Sequence, residues 1–104
     1  MLGEFEQIVL LAILRAGDEA YGVSVSEEIR RNTGRDVTLG ALYKTLTRLE
    51  GKGLVRSRVG EPTPQRGGRR KRCYVVTATG KRSLAQTFRA LRTLASGLEL
   101  GFEL

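Results

Sequence analysis

The stretch "TLGALYKTLTRLEGKGLVRSR", residues 38–58, decides the fold. Leu39, Leu42, Tyr43, Leu46 and Leu49 recur at helical spacing and mark a face turned to a core. The opposite face of such a helix ordinarily carries charged side chains of both signs. Here it carries Gly40, Ala41, Lys44, Thr45 and Arg48, and no acid occurs before Glu50. That outer face is small, bare and faintly basic. Thr38 stands at the N-cap, the helix runs to about Lys52, and Gly53 stops it. "LVRSRV", residues 54–59, then alternates and predicts a strand.

On the N-terminal side, "EFEQIVLLAILRA", residues 4–16, predicts a first helix, with Glu4 and Glu6 at its positive end. Residues 8–14 are apolar almost all round, which predicts a buried central helix. Gly17 ends it. A second helix is predicted over about residues 23–32, with Ser24 and Glu27 fitting a capping box and Gly22 as the alternative start. Tyr21, Val25 and Ile29 form its stripe, and Gly34 allows a left-handed residue in the turn that follows. On the C-terminal side, "KRCYVV", residues 71–76, predicts a second strand. The connection "GEPTPQRGGRR", residues 60–70, is too long for a tight turn and predicts an extended hairpin tip. Thr77 caps a last helix that begins near Ala78.

The order is helix, helix, helix, hairpin, helix. The expected fold is mainly α with a small β-hairpin: a winged helix-turn-helix over residues 1–77 and a C-terminal dimerisation helix over 78–104. In that arrangement the third helix lies in the major groove of DNA. Gly40 and Ala41 would admit close approach, and a mid-helix glycine, costing roughly 1 kcal/mol, favours such a role. Thr38, Lys44, Thr45 and Arg48 would reach bases or phosphates. Tyr43, on the leucine stripe, reads as amphipathic core. Arg56 and Arg58 share one strand face and would meet phosphates. Arg66, Arg69, Arg70, Lys71 and Arg72 would form a wing that follows the backbone or the minor groove, where narrow stretches attract Arg. Leu84, Phe88, Leu91, Ala95 and Leu98 mark one face of the last helix. That stripe is longer than a small core needs, so it predicts a partner helix and a homodimer.

Composition narrows the function. The chain has 104 residues, which suits one small domain, with 18 Lys and Arg against 11 Asp and Glu, a net charge of +7. Residues 35–82 hold 13 basic and 3 acidic side chains, net +10, and the remainder is net −3. Fourteen of the 18 bases are Arg, the side chain suited to bidentate contact with phosphate and guanine. A polyanionic partner is expected. There is no histidine, and Cys73 is the single cysteine, read as an ordinary strand residue. No histidine base, zinc cluster or intrachain disulfide can form. "RGGRRKR", residues 66–72, has neither the spacing nor the setting of a P-loop. No enzyme activity, metal or cofactor is expected. No run of 18 apolar residues or basic leader occurs, so no membrane segment or signal peptide is expected, and a cytoplasmic location is.

"GALYKTLTRLEGKGLV", followed by a basic loop and "YVVTATGKRSL", resembles the PadR-type transcriptional regulators. The matching features are Tyr21-Gly22, Gly40-Ala41-Leu42-Tyr43, Leu46, Leu49, Glu50, Gly53-Leu54, and Tyr74, Thr77 and Gly80 after the wing. The resemblance covers nearly the whole chain and is closest to the compact branch with one C-terminal helix. Many members have proline after the motif tyrosine, where this chain has Lys44. The resemblance implies a homodimeric repressor joined through the C-terminal helix, with the first helix contributing. Some members respond to small molecules, and the tryptophan that stacks ligands in some relatives is absent here. The expected function is therefore sequence-specific binding of double-stranded DNA at a near-palindromic operator. The alternatives are an RNA-binding winged helix and a protein-interaction module without specific DNA readout.

Overall fold

The computed structural model describes residues 2–62 and 70–101, with backbone alone at positions 61, 62 and 70. Helix α1 spans Glu4–Ala16, α2 Gly22–Thr33 and α3 Leu39–Gly51; strands β1, Val55–Pro62, and β2, Arg70–Val76, precede α4, Ala78–Ala95. A short 3₁₀ turn, Gly17–Glu19, joins α1 to α2. The strands form one antiparallel pair, Val55 opposite Val76 and Val59 opposite Arg72, with a register irregularity between Val59 and Pro62. This is the expected winged-helix order. Most of the hairpin tip, including Arg66 and Arg69, lies outside the described residues, as does the side chain of Arg70.

Local chemistry sets the boundaries. Gly17 and Gly34 take positive φ, 62° and 73°, a conformation open to glycine at little cost, and end α1 and α2. Helix α2 starts at Gly22, and Ser24 is its third residue, not its cap. The Ser24 hydroxyl oxygen reaches back to accept the Tyr21 amide at 2.9 Å. The Thr38 hydroxyl oxygen caps α3 by accepting the Ala41 amide at 3.1 Å. Helix α3 ends in a Schellman motif: Leu54 N–H donates to Leu49 C=O and Gly53 N–H to Glu50 C=O, both at 3.0 Å. The Leu49 and Leu54 side chains are both buried beneath it.

One core joins the elements. Val9, Leu10 and Ile13 of α1 pack with Val25 and Ile29 of α2, Leu42, Leu46 and Leu49 of α3, and Val55, Tyr74 and Val76 of the hairpin. Leu84 of α4 completes that cluster and is 5% exposed. The expectation that Leu84 faces a partner is thus corrected: the first two turns of α4 lie on the chain's own core, and Thr87 is buried with it. Helix α1 is not buried all round either, since Leu11 and Leu14 stay 38% and 41% exposed. The start of α4 is fixed closely. Thr77 N–H donates to Leu54 C=O at 3.0 Å, and the Thr77 hydroxyl donates to Gly53 C=O at 2.7 Å. The same oxygen accepts the Gly80 amide at 3.0 Å. Gly80 lies so near the Leu54 carbonyl that a Cβ there would collide with it. Among the described residues, no helix is long and apolar enough to cross a membrane.

The N-terminus of α1 is tied to the far end of α3. The Glu6 side chain is 9% exposed, accepts Lys52 Nζ at 2.8 Å and accepts the Gly3 amide at 3.1 Å. The Lys52 hydrogen bond holds the Glu6 carboxyl below its ordinary value of 4.5, against the opposing pull of burial. A lowered folded-state pKa means the carboxylate stabilises the fold above the ordinary value and loses that effect as pH falls through the lower one. We expect Glu6→Gln to cost about 1–2 kcal/mol in urea unfolding at pH 7. The cost should shrink as the pH drops below 4.5. A cost independent of pH would contradict the assignment.

Candidate nucleic-acid interface

The buried stripe of α3 is Leu42, Thr45, Leu46 and Leu49. Leu39 and Tyr43 are each 43% exposed. At 100° per residue, the core face is therefore rotated by roughly 45° from the one expected from Leu39, Leu42, Tyr43, Leu46 and Leu49. Two corrections follow. Thr45 is 4% exposed and belongs to the core, so it cannot reach a base or a phosphate. Thr47, which the sequence reading passed over, takes the outward position one turn before Gly51. Reading the stripe as 42, 45, 46 and 49, a strict i, i+3, i+4, i+7 set, would have found it.

The outer face then consists of Gly40, Lys44 and Thr47, with Ala41 and Arg48 on one flank and Tyr43 on the other, all exposed. Nothing lies within 4 Å of where a Gly40 Cβ would stand, so the helix surface there is open. Thr38 is exposed, although its hydroxyl oxygen is engaged as the cap of α3. Tyr43 is not core. Its ring leaves the outer face sideways and ends against Gly22 at the start of α2.

The hairpin supplies the remaining charge. Arg56 and Arg58 are exposed on one face of β1, opposite Val75 and Cys73. Lys71 and Arg72 are exposed on β2 and are partly engaged at home. The Lys71 ammonium sits 5.0 Å from the centre of the Tyr21 ring. The Arg72 guanidinium donates to the Ser57 hydroxyl at 3.0 Å, and that hydroxyl donates in turn to the Glu50 carboxylate, 3.0 and 3.1 Å from its two oxygens. Glu50, the one acid within α3, thus binds the hairpin to the end of that helix. Cys73 is buried, with its thiol 3.7 Å from the Asp18 carbonyl oxygen. Among the described residues, no group of three or more Cys, Asp or Glu side chains gathers as a metal site would require.

Beyond Thr87, α4 leaves the core. Phe88 and Leu91 are 39% and 37% exposed, and Leu94, absent from the expected stripe, is 74% exposed. Ala95 is half-buried, and Leu98, past the helix end, is 61% exposed.

Residues 10–86 match the transcriptional regulator PadR-like family. A transcriptional regulator of Mycobacterium tuberculosis is 39% identical over 82 residues, covering 77% of this chain and 70% of that protein. The crystal structure of a PadR family transcription regulator from Clostridium difficile superposes with a TM-score of 0.66 at 29% identity, covering 88% of this chain and 94% of that one. A winged-helix DNA-binding protein from STIV gives a TM-score of 0.71 at 16% identity, covering 95% of this chain and 99% of that one, a likeness of fold. The family and the M. tuberculosis relative are transcriptional regulators, not enzymes.

The rotated stripe can be checked without any ligand. Thr45→Asp puts a charge into the core and should cost about 3–5 kcal/mol in urea unfolding. Thr47→Asp, two residues on, should stay within about 0.5 kcal/mol of wild type. Similar costs at both positions would contradict the assigned faces.

Proposed function

The chain belongs to the transcriptional regulator PadR-like family, and from that premise we propose that it acts as a homodimeric repressor, reading a near-palindromic operator in double-stranded DNA in the cytoplasm. The observation that carries this reading is the outer face of α3. Gly40, Lys44, Thr47 and Arg48 are exposed together, with no carboxylate among them. A helix so furnished suits the major groove, where small residues permit approach and basic ones meet phosphate or guanine. In this reading Gly40 and Ala41 admit the backbone, and Thr38, Lys44, Thr47 and Arg48 make the contacts. The bases of the hairpin, Arg56, Arg58, Lys71 and Arg72, are exposed and suited to the flanking phosphates. Arg66, Arg69 and Arg70 carry the wing's part of the same role.

The dimer reading rests on α4. Residues 1–77 form the DNA-binding unit and 78–104 the dimerisation segment, although Leu84 is shared with the core. Phe88, Leu91, Leu94, Ala95 and Leu98 supply an apolar surface beyond what the core covers. Leu11 and Leu14 of α1, exposed beside Glu28 and Ile29 of α2, supply a second apolar surface for the same partner. A two-fold axis pairs the same patch on both chains, so each substitution there acts twice.

Sedimentation and duplex binding, measured together, test the proposal. Wild type should be a dimer at micromolar concentration and should prefer duplex DNA to RNA of the same sequence. With roughly 6–10 phosphates contacted, its affinity should fall by about 10³–10⁵ between 50 and 200 mM salt. Leu91→Asp combined with Leu94→Asp should give helical monomers that keep only weak, nonspecific binding. RNA displacing every duplex tested would defeat the DNA reading. A wild-type monomer that binds one half-site specifically would defeat the dimer.

A further inference from the structure

Gly22 opens α2, is buried, and does not share the positive φ that Gly17, Gly34 and Gly53 require. Its demand for glycine is spatial. A Cβ on Gly22 would stand 2.7 Å from Tyr43 Cζ and 3.1 Å from Cε1, and closer still to the phenol oxygen. The ring cannot yield inward, because Leu42 and Leu46 beside it on α3 are fully packed, 0% and 1% exposed. Its open direction is outward, onto the surface shared by Gly40, Lys44 and Thr47. Tyr43 therefore spans from the edge of that surface to the first turn of α2.

We propose that Gly22 is a positioning residue for DNA recognition and acts through Tyr43. The bare Cα lets the phenol end of the ring rest against the first turn of α2, which sets the approach of α2 to α3 and keeps the ring off the surface that meets DNA. Side chains at Gly22 larger than hydrogen push the ring outward or tilt α3, and either change spoils base readout while leaving the charged hairpin as it was. This inference rests on α3 being the recognition helix.

The test is a double-mutant cycle with Gly22→Ala and Tyr43→Leu. Each protein is titrated with a duplex selected by wild type from a random library and with an unrelated duplex of equal length, and circular dichroism is recorded. Gly22→Ala should retain the helical spectrum and lose about fivefold or more of its preference for the selected duplex. Its affinity for the unrelated duplex and its salt slope should not change. In the Tyr43→Leu background, Gly22→Ala should change the preference less than about twofold. If Gly22→Ala alone does not fold, the double variant should fold. Equal losses in both backgrounds, equal losses on both duplexes, or a double variant that stays unfolded would overturn the inference. Failure of wild type to select any duplex would instead remove the DNA reading, and this inference with it.

Discussion

The structure depends on the junction of Gly53, Leu54, Thr77 and Gly80. Three segments meet there: the end of α3, both ends of the hairpin, and the start of α4. The Leu54 carbonyl accepts the Thr77 amide, and the Thr77 hydroxyl donates to the Gly53 carbonyl while its oxygen accepts the Gly80 amide. These three bonds pair the Gly53 and Leu54 carbonyls with Thr77 and the Gly80 amide, and breaking one would leave a polar group without its partner. A side chain at position 80 would press on the Leu54 carbonyl, so the close approach of α4 to the start of the hairpin requires glycine there. The junction thus ties the orientation of α3 to the hairpin on one side and to α4 on the other.

Two further contacts hold α3 without occupying its outer face. Glu6 ties Lys52, at its C-terminal end, to α1, and Tyr43 ties its first half to α2. Several acids are spent on intramolecular partners in the same way: Glu4 on Arg35, Glu28 on Arg15 and Arg31, and Glu50 on Ser57. Among the described residues, the charged side chains exposed on the hairpin are the bases Arg56, Arg58, Lys71 and Arg72, and Lys44 and Arg48 are exposed on α3. Exposed ion pairs of this kind add little stability. Each such pair cancels one acid against one base, so the field that a polyanion meets follows the net charge of +7.

Much of this was legible in the sequence. Helix boundaries follow from caps and stops that act within four residues: Thr38, Thr77, Gly17, Gly34 and Gly53. Hairpin pairing follows from alternation and from the two valine-rich strands. The misread features depend on what lies across the molecule. Leu39 and Tyr43 are apolar enough to join any helical stripe, but α2 takes the Tyr43 ring to the side and Leu39 stays half-exposed, so the stripe turns and Thr45 goes in. A buried threonine on a helix looks, in sequence, like a surface one. Leu84 and Leu91 lie two turns apart on one stripe, and only the extent of the hairpin beneath α4 decides which meets the core and which meets solvent. The contact between Gly22 and Tyr43 has no sequence signal beyond a tyrosine and a glycine 21 positions apart.

The central claim is that two copies of the bare face of α3 read DNA across a two-fold axis. Selection of binding sites from a random duplex library by the wild-type protein tests it most directly. The account predicts one enriched motif made of two inverted half-sites, their centres about 10 base pairs apart or a multiple of that, one helical turn per recognition helix. Replacing Lys44 with Ala should relax the same position in both half-sites. A single, unrepeated half-site, or a library that emerges without any enriched sequence, would contradict it.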